Sequence, residues 1–389
     1  MDLAEICTGL EKYVIGQRRW FHEHPELSLQ EMGTTEHIRQ ELEAMGIPCQ
    51  VMPSGCGVLG TIEGGKPGKR VGIRADIDAL PITEENDVPY KSQNPGVMHA
   101  CGHDGHTSML LGVAKALNTM RDELPGTVKV IFQPAEEVGK GTEELIATLE
   151  KEGGLDGVFG LHVSDSLECG TIGLKYGSTA SGSIAFHVDV LGQGGHGSMP
   201  WTTRDPIRTV CDLIPQLESI PSNYYDARDF CTVTVGLLQG GRKRNVIPDT
   251  AMFEGTIRFY DPNCHDTLWN LVERICDGVG RIHGVNVQVQ EVGGCPPVAN
   301  DDRMITLARS VMDTIPGLTV ADSFGMTGSD NVDQFTSRWP GFYAQLGVRK
   351  PGAAARHVHT STFNLDEDAL VKGVTFLTET ARAFLEKGI

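Results

Sequence analysis

The sequence predicts an α/β protein: a mostly parallel sheet with helices on both faces, interrupted by an inserted ferredoxin-like α+β domain. Three observations predict it. In the first third of the chain, short apolar runs of strand length alternate with helical segments. Near residue 180 the runs give way to strict alternation of apolar and polar residues. The signals that follow take the order β-α-β-β-α-β. The chain of 389 residues is also longer than one core normally serves, so two domains are expected.

The elements follow in order. RVGIRADI (70–77), TVKVIFQ (127–133) and GVFGLHV (157–163) are largely apolar runs of strand length, as expected of strands covered on both faces. Between the first two, GHTSMLLGVAKALNTM (105–120) repeats Met109, Leu110, Val113, Ala114 and Leu117 at helical spacing. In SIAFHVDVLG, Ile184, Phe186, Val188 and Val190 point one way, giving a half-buried strand. A helix (DPIRTVCDLIPQLESI), two strands (CTVTVGLLQGG and TAMFEGTIRFY), a second helix (CHDTLWNLVERICDGV) and a last strand (VNVQVQEV) complete the unit. This places an inserted α+β domain at 181–293, interrupting an α/β domain formed by 1–180 plus 294–389. The chain closes on the helix DEDALVKGVTFLTETARAFLEKG.

Composition narrows the partners. A net charge of -18 argues against nucleic acid and against anionic membrane surfaces. No apolar run approaches the length of a membrane span. The start, MDLAEICTGLEKYVIGQRRW, lacks the basic flank and apolar block of a signal peptide. Ten cysteines are scattered without a C-x-x-C pair, which suits a reducing cytoplasm.

Four stretches hold clustered metal-type ligands. MHACGHDGHTSML carries Cys101 and His103, FQPAEE carries Glu136 and Glu137, GLHV carries His162 and RHVHTSTF carries His359. Glu137 and its neighbour are expected just after a strand, and His162 at the end of another. Ligands bind outside the carboxyl ends of strands in open α/β sheets, so one sheet would gather these residues. Taken singly, each has an ordinary reading: packing for Cys-x-His, a solvated face for Glu-Glu, exposure for His359. Together, a thiolate, imidazoles and a carboxylate can hold two divalent ions, while a spare glutamate moves protons.

RADIDALPI, MHACGHDGHTSMLLG, FQPAEE, GLHV and GQGGHGSMP together resemble the amidohydrolase branch of the dinuclear metallopeptidases. That branch includes bacterial aminoacylases, hippurate hydrolases and plant auxin-conjugate hydrolases. The resemblance runs from WFHEHPELSLQE to HTSTFNLDEDALVKG. It implies a metal-dependent hydrolase that cleaves N-acyl amino acids to a carboxylic acid and a free amino acid, with a dipeptidase or carboxypeptidase as the alternative. It implies two divalent ions per subunit, zinc or manganese, with cobalt or nickel as substitutes. It also implies that 181–293 is a dimerisation or lid domain, that 1–180 plus 294–389 is the catalytic metal-binding domain, and that the protein is a homodimer or a dimer-based oligomer.

The resemblance assigns roles residue by residue. Cys101 resembles the thiolate that bridges both metals. His103 and His162 resemble ligands of one ion, Glu137 and His359 ligands of the other. Glu136 resembles the general base. Asp78 matches an aspartate that orients a ligand histidine, and Asp76 is a second candidate for that task. His99 and His106 match no ligand position and fall to the helix start and its surroundings. His196, in GGHGSMP, resembles a histidine that reaches the neighbouring subunit's site and polarises the scissile carbonyl. Asn245 and Arg258 resemble residues that hold the product's free carboxylate. One stretch departs: the family usually has G-S-E-D-F, where GSDNV here places Asp330 and Asn331. That region adjoins the substrate in the family. The common proline after the ligand His359 is also absent.

Two other readings remain open at this point. Cys101 could be a nucleophile with His103 as its base. The chain could also be a metal-stabilised binding protein, although a closed structural site leaves no task for Glu136.

Overall fold

The computed structural model describes residues 3–322 and 325–389. These residues divide into two compact units. One comprises the chain up to Thr179, then 299–322 and 330–389; the other comprises 180–298 and 325–329.

The first unit is built on an eight-stranded sheet. Its order is Cys49–Val51, Val58–Glu63, Pro125–Gln133, Lys66–Asp76, Gly157–Glu168, Gly341–Arg349, Thr171–Gly173 and Thr319–Ala321. The central pairs, joining Lys66–Asp76 to both neighbours and Gly157–Glu168 to Gly341–Arg349, are parallel. Both faces are covered, which is why the central strands read as largely apolar runs. Alternation still operates inside them. Val128, Val130 and Phe132 pack with the helices Glu11–Glu23, His103–Thr119 and Leu370–Lys387. Ile131 points the other way, to Leu145 and Leu149 of the helix Glu143–Lys151. The helix His103–Thr119 is buried along almost its whole length. Each of its leucines or valines contributes about 1.5–3 kcal/mol relative to exposure.

The inserted unit is a four-stranded antiparallel sheet in the order Cys231–Gly240, Thr250–Phe259, Gly182–Leu191, Asn286–Cys295. In chain order this is 2-3-1-4, the ferredoxin-like arrangement. Ile184, Phe186, Val188 and Val190 form its core with Leu213, Leu217, Leu268 and Val272 from the helices Pro206–Glu218 and His265–His283. The last strand runs two residues past position 293. Among the described residues, no helix is long and apolar enough to cross a membrane.

One expectation fails. His162 is not at a strand end but in the middle of Gly157–Glu168. The strand continues because it stays paired with Gly341–Arg349, where His162 faces Gln345. On the other side its pairing with Lys66–Asp76 stops at Gly160, opposite Arg74. The sheet therefore parts on that side at Gly160, and His162 lies just beyond the parting.

Candidate active site

The parting of the sheet gathers the ligand-type residues of the first unit. Cys101 and His103 come from the approach to the helix His103–Thr119. Gly102 between them has φ 88°, and a Cβ there would stand 2.4 Å from Val163. Glycine thus lets two neighbouring side chains enter one site. His359 and Ala135 are among the three non-glycine residues with positive φ in the described chain, at 62° and 57°. Such conformations cost about 1–2 kcal/mol each, and here contacts hold them. The His359 amide donates to the Ala100 carbonyl (2.7 Å) and the Ala135 amide to Glu31 Oε1 (2.7 Å).

Four groups of three ligand atoms result among the described residues; Asp76–His103–His106 and His103–Glu136–Glu137 are two of them, and the other two, Cys101–His103–His162 and Cys101–Glu137–His359, share the sulfur of Cys101. His162 Nε2 lies 3.5 Å from that sulfur and His359 Nε2 3.3 Å. His359 Nε2 is also 3.4 Å from Glu137 Oε1. The ring tautomers follow from the neighbours. His162 Nδ1 donates to the Val163 carbonyl at 2.6 Å, which leaves Nε2 with its lone pair. His103 Nδ1 donates to the Asp78 carbonyl (2.9 Å) and to Asp78 Oδ1 (3.1 Å). Burial holds the His162 ring down at about 4, so it is neutral and ready to coordinate.

The residues fit divalent ions by a direct test. His103 Nε2 and Glu137 Oε1 are buried with no hydrogen-bond partner, and they lie 3.9 Å apart. Unsatisfied buried polar atoms cost about 1–3 kcal/mol each, a cost that coordination removes. Sulfur, imidazole and carboxylate are also the donors of zinc-type sites. Burial pushes the Cys101 thiol up, so a thiolate there needs a cation beside it to form.

The remaining predicted residues fall as follows. Glu136 forms a group with His103 and Glu137. Burial, then the nearby Asp330 charge, push its carboxyl well above the usual range. Asp78 braces His103, accepts from Ser28 Oγ (2.7 Å) and accepts from the Glu137 amide (3.0 Å). Asp76 instead orients His106, whose Nδ1 lies 2.5 Å from Asp76 Oδ1. His106 Nε2 accepts from the Val163 amide at 2.9 Å, so both its ring nitrogens are spent on the protein. His99 is buried with both ring nitrogens unpartnered, and burial lowers it to about 4. His196, Asn245 and Arg258 lie in the inserted unit, which carries none of the five candidate ligands. His196 pairs in register with Val246, and the Gly197 amide donates to the Asn245 carbonyl at 2.9 Å. His196 Nδ1 accepts from the Ser198 amide (3.1 Å), so Nε2 carries the proton and can donate. Arg258 Nη1 donates to Ser329 Oγ at 2.5 Å.

Asp330 and Asn331, expected beside the substrate, are buried and bound to protein groups. Asp330 pairs with Arg74 (3.2 Å) and accepts from the Val332 amide (2.8 Å) and Tyr343 (2.5 Å).

Sequence reasoning missed a second buried network behind the site. Arg18 Nε and His22 Nδ1 both reach Asp104 Oδ2, at 2.9 and 2.7 Å, and His22 Nε2 meets Glu84 at 2.9 Å. Asp104 follows the ligand His103 directly, so this network anchors the first turn of the ligand-bearing helix. A signal existed: Arg18 and His22 are spaced i, i+4 on a helix that also buries Val14 and Phe21.

Comparison with known proteins identifies the family. Residues 72–383 match the model of "Peptidase family M20/M25/M40". The chain is 35% identical over 379 residues to the N-acetyl-L-cysteine deacetylase of Bacillus subtilis, covering 97% of this chain and 90% of that one. It is 39% identical over 301 residues to the N-acyl-L-amino acid amidohydrolase of Geobacillus stearothermophilus, covering 77% and 81%. The crystal structure of Bacillus subtilis YXEP protein, described as a dinuclear metal binding peptidase from the M20 family, superposes with a TM-score of 0.86 at 32% identity, covering 97% and 99%. The chain belongs to peptidase family M20/M25/M40.

Proposed function

We propose that the protein is a dinuclear metal-dependent amidohydrolase that cleaves N-acyl amino acids. The sharing of Cys101 by two ligand groups carries this reading. His103 and His162 would hold one ion, Glu137 and His359 the other, and Cys101 both. Two divalent ions held there would polarise the amide carbonyl and make water nucleophilic at neutral pH.

The chain's own residues do the rest. Glu136 is not needed as a ligand. As a carboxylate it takes the proton of the attacking water and gives it to the leaving nitrogen. Asp78 fixes the His103 ring through Nδ1, which leaves Nε2 free to coordinate an ion. His196, from a neighbouring subunit of a homodimer, hydrogen-bonds the carbonyl oxygen through Nε2–H and stabilises the negative charge that develops there. Asn245 and Arg258 hold the free carboxylate of the amino acid. The names of the two curated relatives, a deacetylase and an amidohydrolase, support the choice of substrate.

Zinc or manganese suits the thiolate, imidazole and carboxylate set, and cobalt or nickel could replace them. The ten cysteines are all free, which supports a reducing cytoplasm. The net charge of -18 supports a small-molecule substrate over nucleic acid or anionic membrane.

The test is a screen of acetyl, benzoyl and long-chain acyl amino acids, against dipeptides, with several metals. Turnover should need a free carboxylate, tolerate an acylated nitrogen, vanish on chelation and return with a divalent ion. A requirement for a free amino terminus would favour the dipeptidase alternative. Full turnover in metal-free protein would sink the reading.

A further inference from the structure

We propose that Asn331 is a positioning residue that sets the place of the Glu136–Glu137 turn. The inference rests on the reading of Glu136 as general base. It begins with the turn itself. Residues 135–140 form a tight loop closed by the Lys140 amide on the Ala135 carbonyl (2.9 Å) and the Gly139 amide on the Glu136 carbonyl (2.8 Å). Its entry is pinned by Glu31 at the Ala135 amide, and its middle by Asp78 at the Glu137 amide. Its exit is held at the Lys140 carbonyl, which accepts from Asn331 Nδ2 (2.9 Å), nearly two hundred residues away, and at longer range from Gln133 Nε2 (3.3 Å).

The same side chain faces the sheet with its oxygen. Asn331 Oδ1 accepts from Gln133 Nε2 (2.7 Å) and from Arg74 Nη2 (3.2 Å). The orientation is forced. Arg74 offers only donors, and Gln133 Oε1 is already taken by Arg74 Nε at 2.8 Å, so Gln133 presents its NH₂. The Lys140 carbonyl offers only an acceptor. A residue at 331 must therefore accept on one side and donate on the other. A primary amide of this length does both, and the carboxylate usual in the family cannot donate. Asn331, Gln133 and Arg74 are all buried, so water does not replace a lost partner cheaply. The departure at GSDNV is thus matched to this loop: the neutral amide ties the exit of the base-bearing turn to the end of the strand Pro125–Gln133.

Asn331→Asp and Asn331→Ala, assayed as full-length metal-loaded enzyme on an N-acyl amino acid the wild type cleaves, test this. A displacement of the order of an ångström at a catalytic group costs about a hundredfold. Both variants should lose roughly 10- to 100-fold in kcat, with KM within about threefold and both ions retained by elemental analysis. Hydrogen exchange should quicken at residues 135–141 and not in the helix 103–119. Should Asn331→Ala fail to fold, Asn331→Asp, the same size and shape, carries the test alone. Wild-type kcat in Asn331→Asp would overturn the proposal, as would a kcat loss that tracks loss of metal. Glu136→Gln separates the two readings. If it keeps full turnover, the general-base reading fails; if it is inactive while Asn331→Asp is fully active, only the present inference fails.

Discussion

His359 Nε2 lies 3.3 Å from the sulfur of Cys101, across 258 residues of sequence. His162 Nε2 stands at 3.5 Å from the same sulfur. One thiol thus serves two ligand groups that come from different strands and loops. The loop of His359 is held against the Ala100 carbonyl, so the contact is set by backbone as well as side chain.

The adjacent glutamates should separate cleanly. Glu136→Gln should keep both ions and lose turnover by about 10²- to 10⁴-fold, the range for a general acid–base group. Glu137→Gln should lower metal occupancy, because Glu137 Oε1 is the atom left unpartnered beside His103 and His359. Metal content and turnover measured on both variants decide it. The reversed pattern would mean that the roles are exchanged.

The buried network behind the helix predicts a stability effect that depends on pH. Burial pushes the Asp104 carboxyl up, but Arg18 and His22 outweigh it and hold it far below the usual carboxylate range. A depressed folded pKa contributes stability that is present above the unfolded value, about 3.9, and lost as pH falls toward the folded one. Asp104→Asn should therefore destabilise by about 3–5 kcal/mol at pH 7, the usual cost of breaking a buried pair. The gap between variant and wild type should narrow below about pH 4. Urea unfolding of metal-free protein at several pH values measures this. A gap that stays constant down to pH 3 would reject the electrostatic account.

His196 predicts complementation between subunits. Inactive Glu136→Ala and inactive His196→Ala, mixed in equal amounts and allowed to exchange, should regain about a quarter of the sites, by two-fold symmetry. Each mixed dimer then has one site with its own Glu136 and a borrowed His196. Complete exchange without recovered activity would place His196 within its own chain's mechanism.

Much of the molecule was legible because short-range patterns carried it. The period of Ile184, Phe186, Val188 and Val190 marked the inserted sheet, and all four are in its core. Cys101 and His103 were legible because two ligand types two residues apart stand out in any sequence. His162 was placed at a strand end because sequence shows where an apolar run stops. It does not show that one neighbour lets go at Gly160 while the other continues to Arg349. The Arg18–His22–Asp104 network was missed because its members are 82 or more residues apart in pairs that cross elements. Asn331 read as a departure from a motif; its two-sided hydrogen bonding depends on Arg74, Gln133 and Lys140, which no local pattern joins to it.

Metal content decides whether one cysteine, Cys101, holds two ions. Wild-type protein loaded with zinc and desalted should carry two ions per chain. His359→Ala should carry one, because Cys101, His103 and His162 remain together. Cys101→Ala should carry close to none, because the His103–His162 and Glu137–His359 pairs that are left each supply only two ligands, fewer than the three that catalytic zinc sites keep, with Glu136 reserved as the base. A folded Cys101→Ala variant that still binds two ions per chain would contradict the account.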